Sequence, residues 1–323
     1  MDIRKIIKFG SSSYVVSLPK NWVDKNKLNK GDVLYFNENG DNELVIAPSN
    51  NEKKKQLSKI TIEIKNKPLD TIRREIMSAY IQNNDIIKII GDLSPVRQNI
   101  DNMLHELLAL EIMEDTPDRI VIKDFLNLDD ISLQDIIRRM DIMVRTMLND
   151  VDTSFSKNMH EKLLQIEKSV NKLMFLVFRV TRKGMKEHSI LKSLKVECCG
   201  DLMDYWLLAD KLEGVADDCR RIARFLKKAD IKKLDSSGFR DLFNRSRGDY
   251  LSIMKALYAR DINVAHAIAS SIDKRLAEWD TLFYNSEEKI AGPLVERFKA
   301  IDGQLRNVAR IIVDRSVKVE QSK

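Results

Sequence analysis

Four cations, Arg4, Lys5, Lys8 and Lys20, stand among the first twenty residues against the single acid Asp2. Lysines and arginines at this density displace counterions from phosphates, an attraction that weakens as salt rises. Ser11, Ser12 and Ser13 lie between them and add hydroxyl and backbone donors for phosphate oxygens. The same residues also suit a solvated strand face with a polar turn. A second group is Glu213 and Asp217. Residues four apart face the same way on a helix, so the pair presents two carboxylates to one hard, oxygen-liganded cation. The alternative is a solvated face making ordinary ion pairs with Lys211, Arg220 or Arg221. A third is the run Cys219–Arg247, with ten basic residues against Asp230, Asp235 and Asp241. It reads as a helix end and a turn, cations being favoured near a helix C-terminus, or as a surface for an acidic protein, flanking DNA or a membrane. His105, His160, His188 and His266 are scattered, and adjacent Cys198 and Cys199 lack the two-residue gap of a zinc or redox motif. With no Walker loop, dinucleotide turn or nucleophile elbow, an enzyme is not expected.

The elements that must position these groups follow from composition and pattern. The 323 residues carry 43% hydrophobic and 32% charged side chains, with 11 Gly and 6 Pro. That suits two or three mostly helical domains and excludes a wholly disordered chain. Net charge is +6 and pI about 9.0, compatible with nucleic acid. No run of about eighteen apolar residues exists, the first residues lack a signal-peptide core, and three cysteines do not make a disulfide framework. A cytoplasmic protein is expected.

Residues 1–48 read as β-β-short helix-β-β: strands over Ile3–Phe9 and Tyr14–Leu18, Pro19 opening a short helix, then strands Val33–Phe36 and Leu44–Ala47 across a Gly40-Asp41 turn. A unit this small cannot close a core alone, and sharing strands with a second copy is its remedy. Residues 49–58 form a polar linker containing Lys53, Lys54 and Lys55. Residues 59–126 alternate as a small α+β layer, with Ile60, Ile62 and Ile64 on one strand face, Leu69–Gln82 helical, Ile86–Ile90 a buried strand, and Pro95 opening a helix through Ile100 and Leu104. Beyond Ile131 apolar residues recur at helical steps, as in Leu133, Ile137, Met140, Val144. Three long helices, a break near Ser236-Ser237-Gly238, and three more predict tandem three-helix bundles, 130–235 and 236–319.

Arg4-Lys5-Ile6-Ile7-Lys8-Phe9-Gly10, the run Ser17-Leu18-Pro19-Lys20-Asn21-Trp22, and Leu28-Asn29-Lys30-Gly31-Asp32-Val33 together resemble an AbrB/SpoVT-type domain. That resemblance implies a swapped-hairpin barrel built by a homodimer, and DNA binding by it. Contacts in that family lie on the N-terminal strand and adjacent loop, which implies Arg4, Lys5, Lys8, Ser11, Ser12 and Lys20 as DNA-contacting positions. Trp22 is expected in the core or dimer seam.

The helical part resembles the PhoU family of phosphate-uptake regulators, through Lys211-Leu212-Glu213-Gly214-Val215-Ala216-Asp217-Asp218-Cys219-Arg220-Arg221. This implies a divalent or ferric ion at Glu213 and Asp217. The sequence departs from that pattern at Lys168 and Asn171 in the second helix, and at Lys299 and Gly303 in the second bundle, where the family carries acids. A fusion of the two parts resembles an archaeal form. It implies a DNA-binding transcriptional regulator of phosphate uptake whose bundles sense or relay phosphate status. The alternative is a dimeric adaptor that does not bind DNA but docks on, and inhibits, the ATPase of a phosphate ABC transporter. Neither implies membrane insertion.

Overall fold

Ile7-Lys8-Phe9 alternates apolar and polar residues, Ser13-Tyr14-Val15 is rich in β-forming residues, and the two form a hairpin about a glycine. Strands β1 (Ile7–Phe9) and β2 (Ser13–Val15) pair antiparallel with Ile7 opposite Val15 and Lys8 opposite Tyr14. Gly10 takes φ 73° in the turn, a left-handed conformation that costs glycine no Cβ clash. The structure, a computed structural model, describes residues 3–38, 44–48, 57–187, 190–230 and 233–316. The chain divides into two compact units, Met1–Leu57 and Ser58–Lys323.

In the first unit Pro19 precedes α1 (Lys20–Lys25), its carbonyl accepting from the N–H groups of Trp22 and Val23. Strands β3 (Tyr35–Glu38) and β4 (Leu44–Ala47) then pair antiparallel. The order β-β-α-β-β agrees with the sequence expectation, but the first two strands are shorter and the third is shifted by two residues. Strand pairing starts at Ile7 rather than Ile3, ends at Val15 rather than Leu18, and resumes at Tyr35 rather than Val33. Among the described residues each hairpin pairs only with itself, so the flanking residues have no described strand to extend along. The Gly40-Asp41 turn and linker residues 49–56 lie outside the described residues.

The second unit opens with a mixed sheet of order β5-β6-β8-β7, formed by β5 (Lys59–Glu63), β6 (Ile86–Ile90), β7 (Leu110–Thr116) and β8 (Arg119–Asp124). The β5–β6 pair is parallel and the other two are antiparallel. Alternation puts Ile62, Ile87, Ile89, Ile120 and Ile122 on one buried face. Against that core lie Ile72, Ile76, Ala79 and Tyr80 of α2 (Leu69–Ile81) and Ile100 of α3 (Arg97–Leu104). Gly91 follows β6 with φ 133°, and a Cβ there would lie 2.7 Å from Cγ1 of Ile64, so both the conformation and the space require glycine.

Six long helices follow, as the periodicity predicts: α4 (Leu133–Ser154), α5 (His160–Lys186), then after short α6 (Ile190–Ser193), α7 (Cys199–Leu226), α8 (Ser236–Ala259), α9 (Ile262–Tyr284) and α10 (Ala291–Ser316). Side-chain caps mark three starts: Ser132 accepts from the Asp135 N–H, Asp235 from Gly238 and Asp261 from Val264. Ser236-Ser237-Gly238 is thus the first turn of α8 rather than a break, because Asp235 supplies the cap. Pro293 sits in the first turn of α10. The expected two bundles share one continuous core, for α10 packs on α7 as well as on α8 and α9, and α4 reaches α8. Trp279 stacks on Phe298 at 4.5 Å between ring centroids, and its Nε1 donates to buried Asp302 at 2.8 Å. Asp141, also buried, accepts both Arg145 nitrogens within its own helix and the hydroxyls of Tyr250 and Tyr258 from α8. Among the described residues, no helix is long and apolar enough to cross a membrane.

Candidate nucleic-acid interface

Two-residue alternation along β1 sends Lys8 to the face opposite its neighbours Ile7 and Phe9. Across the hairpin it faces Tyr14, while the turn that reverses the chain carries Ser11 and Ser12. Lys8, Ser11 and Ser12 therefore share one end of one hairpin. Arg4 and Lys5 lie in the extended segment just before β1, and Lys20 opens α1. All six are exposed. The hairpin itself unites only Lys8, Ser11 and Ser12. Tyr14, 70% exposed and directly across from Lys8, adds an aromatic face beside the cation; the sequence signal was its alternation with Ser13 and Val15.

The apolar side of this unit is uncovered. No described residue in it is buried, and Ile3, Ile6, Ile7, Phe9, Val33, Phe36 and Leu44 are each more than half exposed. Trp22 and Val23 reach only partial burial. A monomeric soluble domain rarely leaves so much contiguous apolar side chain in water.

The turn before β3 is built locally. Asp32 Oδ2 accepts the Asn29 N–H at 2.6 Å, and Gly31 takes φ 98°. It joins α1 to the second hairpin without using any of the six cationic or hydroxyl positions.

Glu213 and Asp217 lie on α7, as the spacing requires, but Asp217 is already engaged. Asp217 accepts Arg220 through one oxygen and pairs with Arg221 Nε at 2.5 Å through the other. Arg220 also approaches Glu167 of α5 at 3.7 Å. Glu213 is partly buried, and that burial, with Asp217, Glu167 and Asp210 nearby, raises its carboxyl to about 7. Burial likewise raises Glu167. Among the described residues no group of three or more His, Cys, Asp or Glu is arranged to hold a metal ion. Two guanidiniums thus already neutralise Asp217. In the second bundle Lys299 pairs with Asp280 instead.

The basic run 219–247 is largely satisfied internally. Arg240 holds Asp152 with two bonds of 2.7 and 2.9 Å, Arg245 pairs with Glu278, and Arg247 donates to Asn149 at 3.3 Å. Lys232 lies outside the described residues. Of the cysteines, Cys219 is buried and packs as expected, whereas Cys198 is exposed and caps α7 together with Asp201.

Residues 7–54 match the model of a family described as antidote-toxin recognition MazE, bacterial antitoxin. The chain thus carries a MazE/AbrB-type antitoxin-like domain at its N-terminus. No curated protein and no solved structure matches the chain. The family match ends before the helices that carry the PhoU resemblance.

Proposed function

We propose that the protein is a cytoplasmic DNA-binding transcriptional regulator, non-enzymatic, whose N-terminal domain contacts operator DNA as a homodimer. The observation that carries this is the union of a basic hairpin with an uncovered apolar face in a domain of MazE/AbrB type. Two copies bury that face against one another and double the charge from Arg4, Lys5, Lys8 and Lys20 on one side. Lysines and arginines then neutralise phosphates while the Ser11-Ser12 turn donates to their oxygens. Toxin recognition is what the matched family is named for; the hairpin's charge favours nucleic acid for this chain.

The finer role, relaying phosphate status through the helices, is supported by the resemblance around Lys211–Ala223 alone. It is tested by mapping DNA occupancy across the genome at high and low phosphate, beside gel shifts on the occupied promoters. Occupancy that changes with phosphate at phosphate-uptake genes supports the regulator. Phosphate-independent occupancy removes the phosphate role, and absence of any DNA binding removes the regulator.

A further inference from the structure

The second unit holds a cleft of about 160 Å³, open to solvent, where four long helices meet. Gln134, in the first turn of α4, forms one wall, and Tyr205 of α7 another. Leu257 and Tyr258 come from the end of α8, Arg260 from the residue that caps it, and Arg315 from the last turn of α10. Among the described residues no carboxylate lines it.

The side chains are arranged as a binding surface. Arg315 lies over the ring of Tyr205, 5.4 Å from its centroid, and its one acidic neighbour is Asp204 at 3.5 Å. Tyr258 is fixed by donating its hydroxyl to Asp141 at 3.3 Å, and Arg138 covers its ring at 5.4 Å. Asp141 is itself neutralised by Arg145. Arg260 makes no ion pair among the described residues, and it occupies a left-handed seat, φ 55°, that glycine or asparagine usually fills. A cation at each helix C-terminus is ordinary, since the terminal carbonyls attract it. Two guanidiniums lining one cleft beside two tyrosines, with no acid in that lining among the described residues, offer an anion charge and an aromatic wall together.

We propose that this cleft binds a small organic anion, its charged group held by Arg260 and Arg315 and its flat or apolar body lying along Tyr205, Tyr258 and Leu257. The guanidinium fork suits the paired oxygens of a phosphate ester or a carboxylate alike, and the Gln134 amide adds a directional donor and acceptor. This site is independent of DNA binding by the N-terminal domain.

Calorimetric titration of the full-length protein distinguishes the two sources. Adenosine 5′-monophosphate represents the phosphate ester, benzoate the ring carboxylate, and adenosine the uncharged body. Saturable binding of either anion, with adenosine at least about tenfold weaker and a similar loss in R260Q and in R315Q, supports the site and names its source. Melting without ligand shows that each variant is folded. Should R315Q lose stability through Asp204, R260Q decides alone, since Arg260 holds no ion pair among the described residues. Binding of neither anion, or binding unchanged in R260Q, overturns the proposal.

Discussion

Arg179 of α5 donates to Asp124 at the end of β8, a buried ion pair that fastens the sheet layer to the helical bundle. Asn83 completes the joint: its Oδ1 accepts Arg179 Nε at 3.0 Å, and its Nδ2 donates to the Arg179 carbonyl at 3.0 Å. The guanidinium also covers the Tyr80 ring at 4.6 Å. Replacing Arg179 by Met strands Asp124 in a site with little water, which costs about 3–5 kcal/mol. The double variant R179M/D124N loses less than the sum of the single changes. Urea unfolding of the four proteins measures the coupling, and strict additivity means the pair does not tie the layers together.

Glu213 makes stability depend on pH. Its carboxyl is raised from 4.5 to about 7, chiefly by burial. Between those values the native protein keeps a proton that the unfolded chain has released, so stability falls as pH rises through this window and levels off above it. E213Q removes that component and raises stability at pH 8 by about 1–3 kcal/mol relative to the parent. Asp218, raised to about 6 by burial, contributes the same sign in both proteins. Denaturation curves at pH 5 and pH 8 for parent and E213Q therefore isolate Glu213; an equal pH dependence in the two contradicts the assignment.

Gly91→Ala tests the close approach of β5 and β6. The new methyl meets Ile64 at 2.7 Å in a conformation that L residues rarely adopt. A fall in stability of about 1–3 kcal/mol is expected, measured by thermal or chemical unfolding of the full chain. An unchanged midpoint means that the backbone relaxes freely there.

Self-association follows from the uncovered face of the first unit. Phe9, 71% exposed beside Ile7, is expected to gain burial from a second copy. Phe9→Glu shifts sedimentation of the full-length protein toward monomer and weakens DNA binding in parallel. An unshifted profile places the association elsewhere.

Much of the fold was legible because apolar periodicity is a direct record of burial. The stripe Leu133, Ile137, Met140, Val144 is buried as read, and so are Ile87 and Ile89 of β6. Strand lengths in residues 3–36 were less legible, since they depend on partners that one chain does not provide. No local pattern marks Arg179 and Arg275, yet both are buried, because their partners Asp124 and Asp302 lie on other elements. Spacing placed Glu213 and Asp217 on one helix but carried no sign that Arg220 and Arg221 fold back onto Asp217. The cleft of Arg260 and Arg315 arises where separate helices cross, which no local pattern encodes.

In the proposed function the basic N-terminal hairpin neutralises DNA phosphates. The most direct measurement of this is the affinity of the full-length protein for a promoter duplex across a salt series, beside the variant R4Q/K5Q/K8Q. The plot of log affinity against log salt is expected to slope steeply downward for the parent. In the variant it flattens by about 0.9 for each phosphate that is no longer neutralised. A variant whose slope and affinity match the parent's contradicts the account.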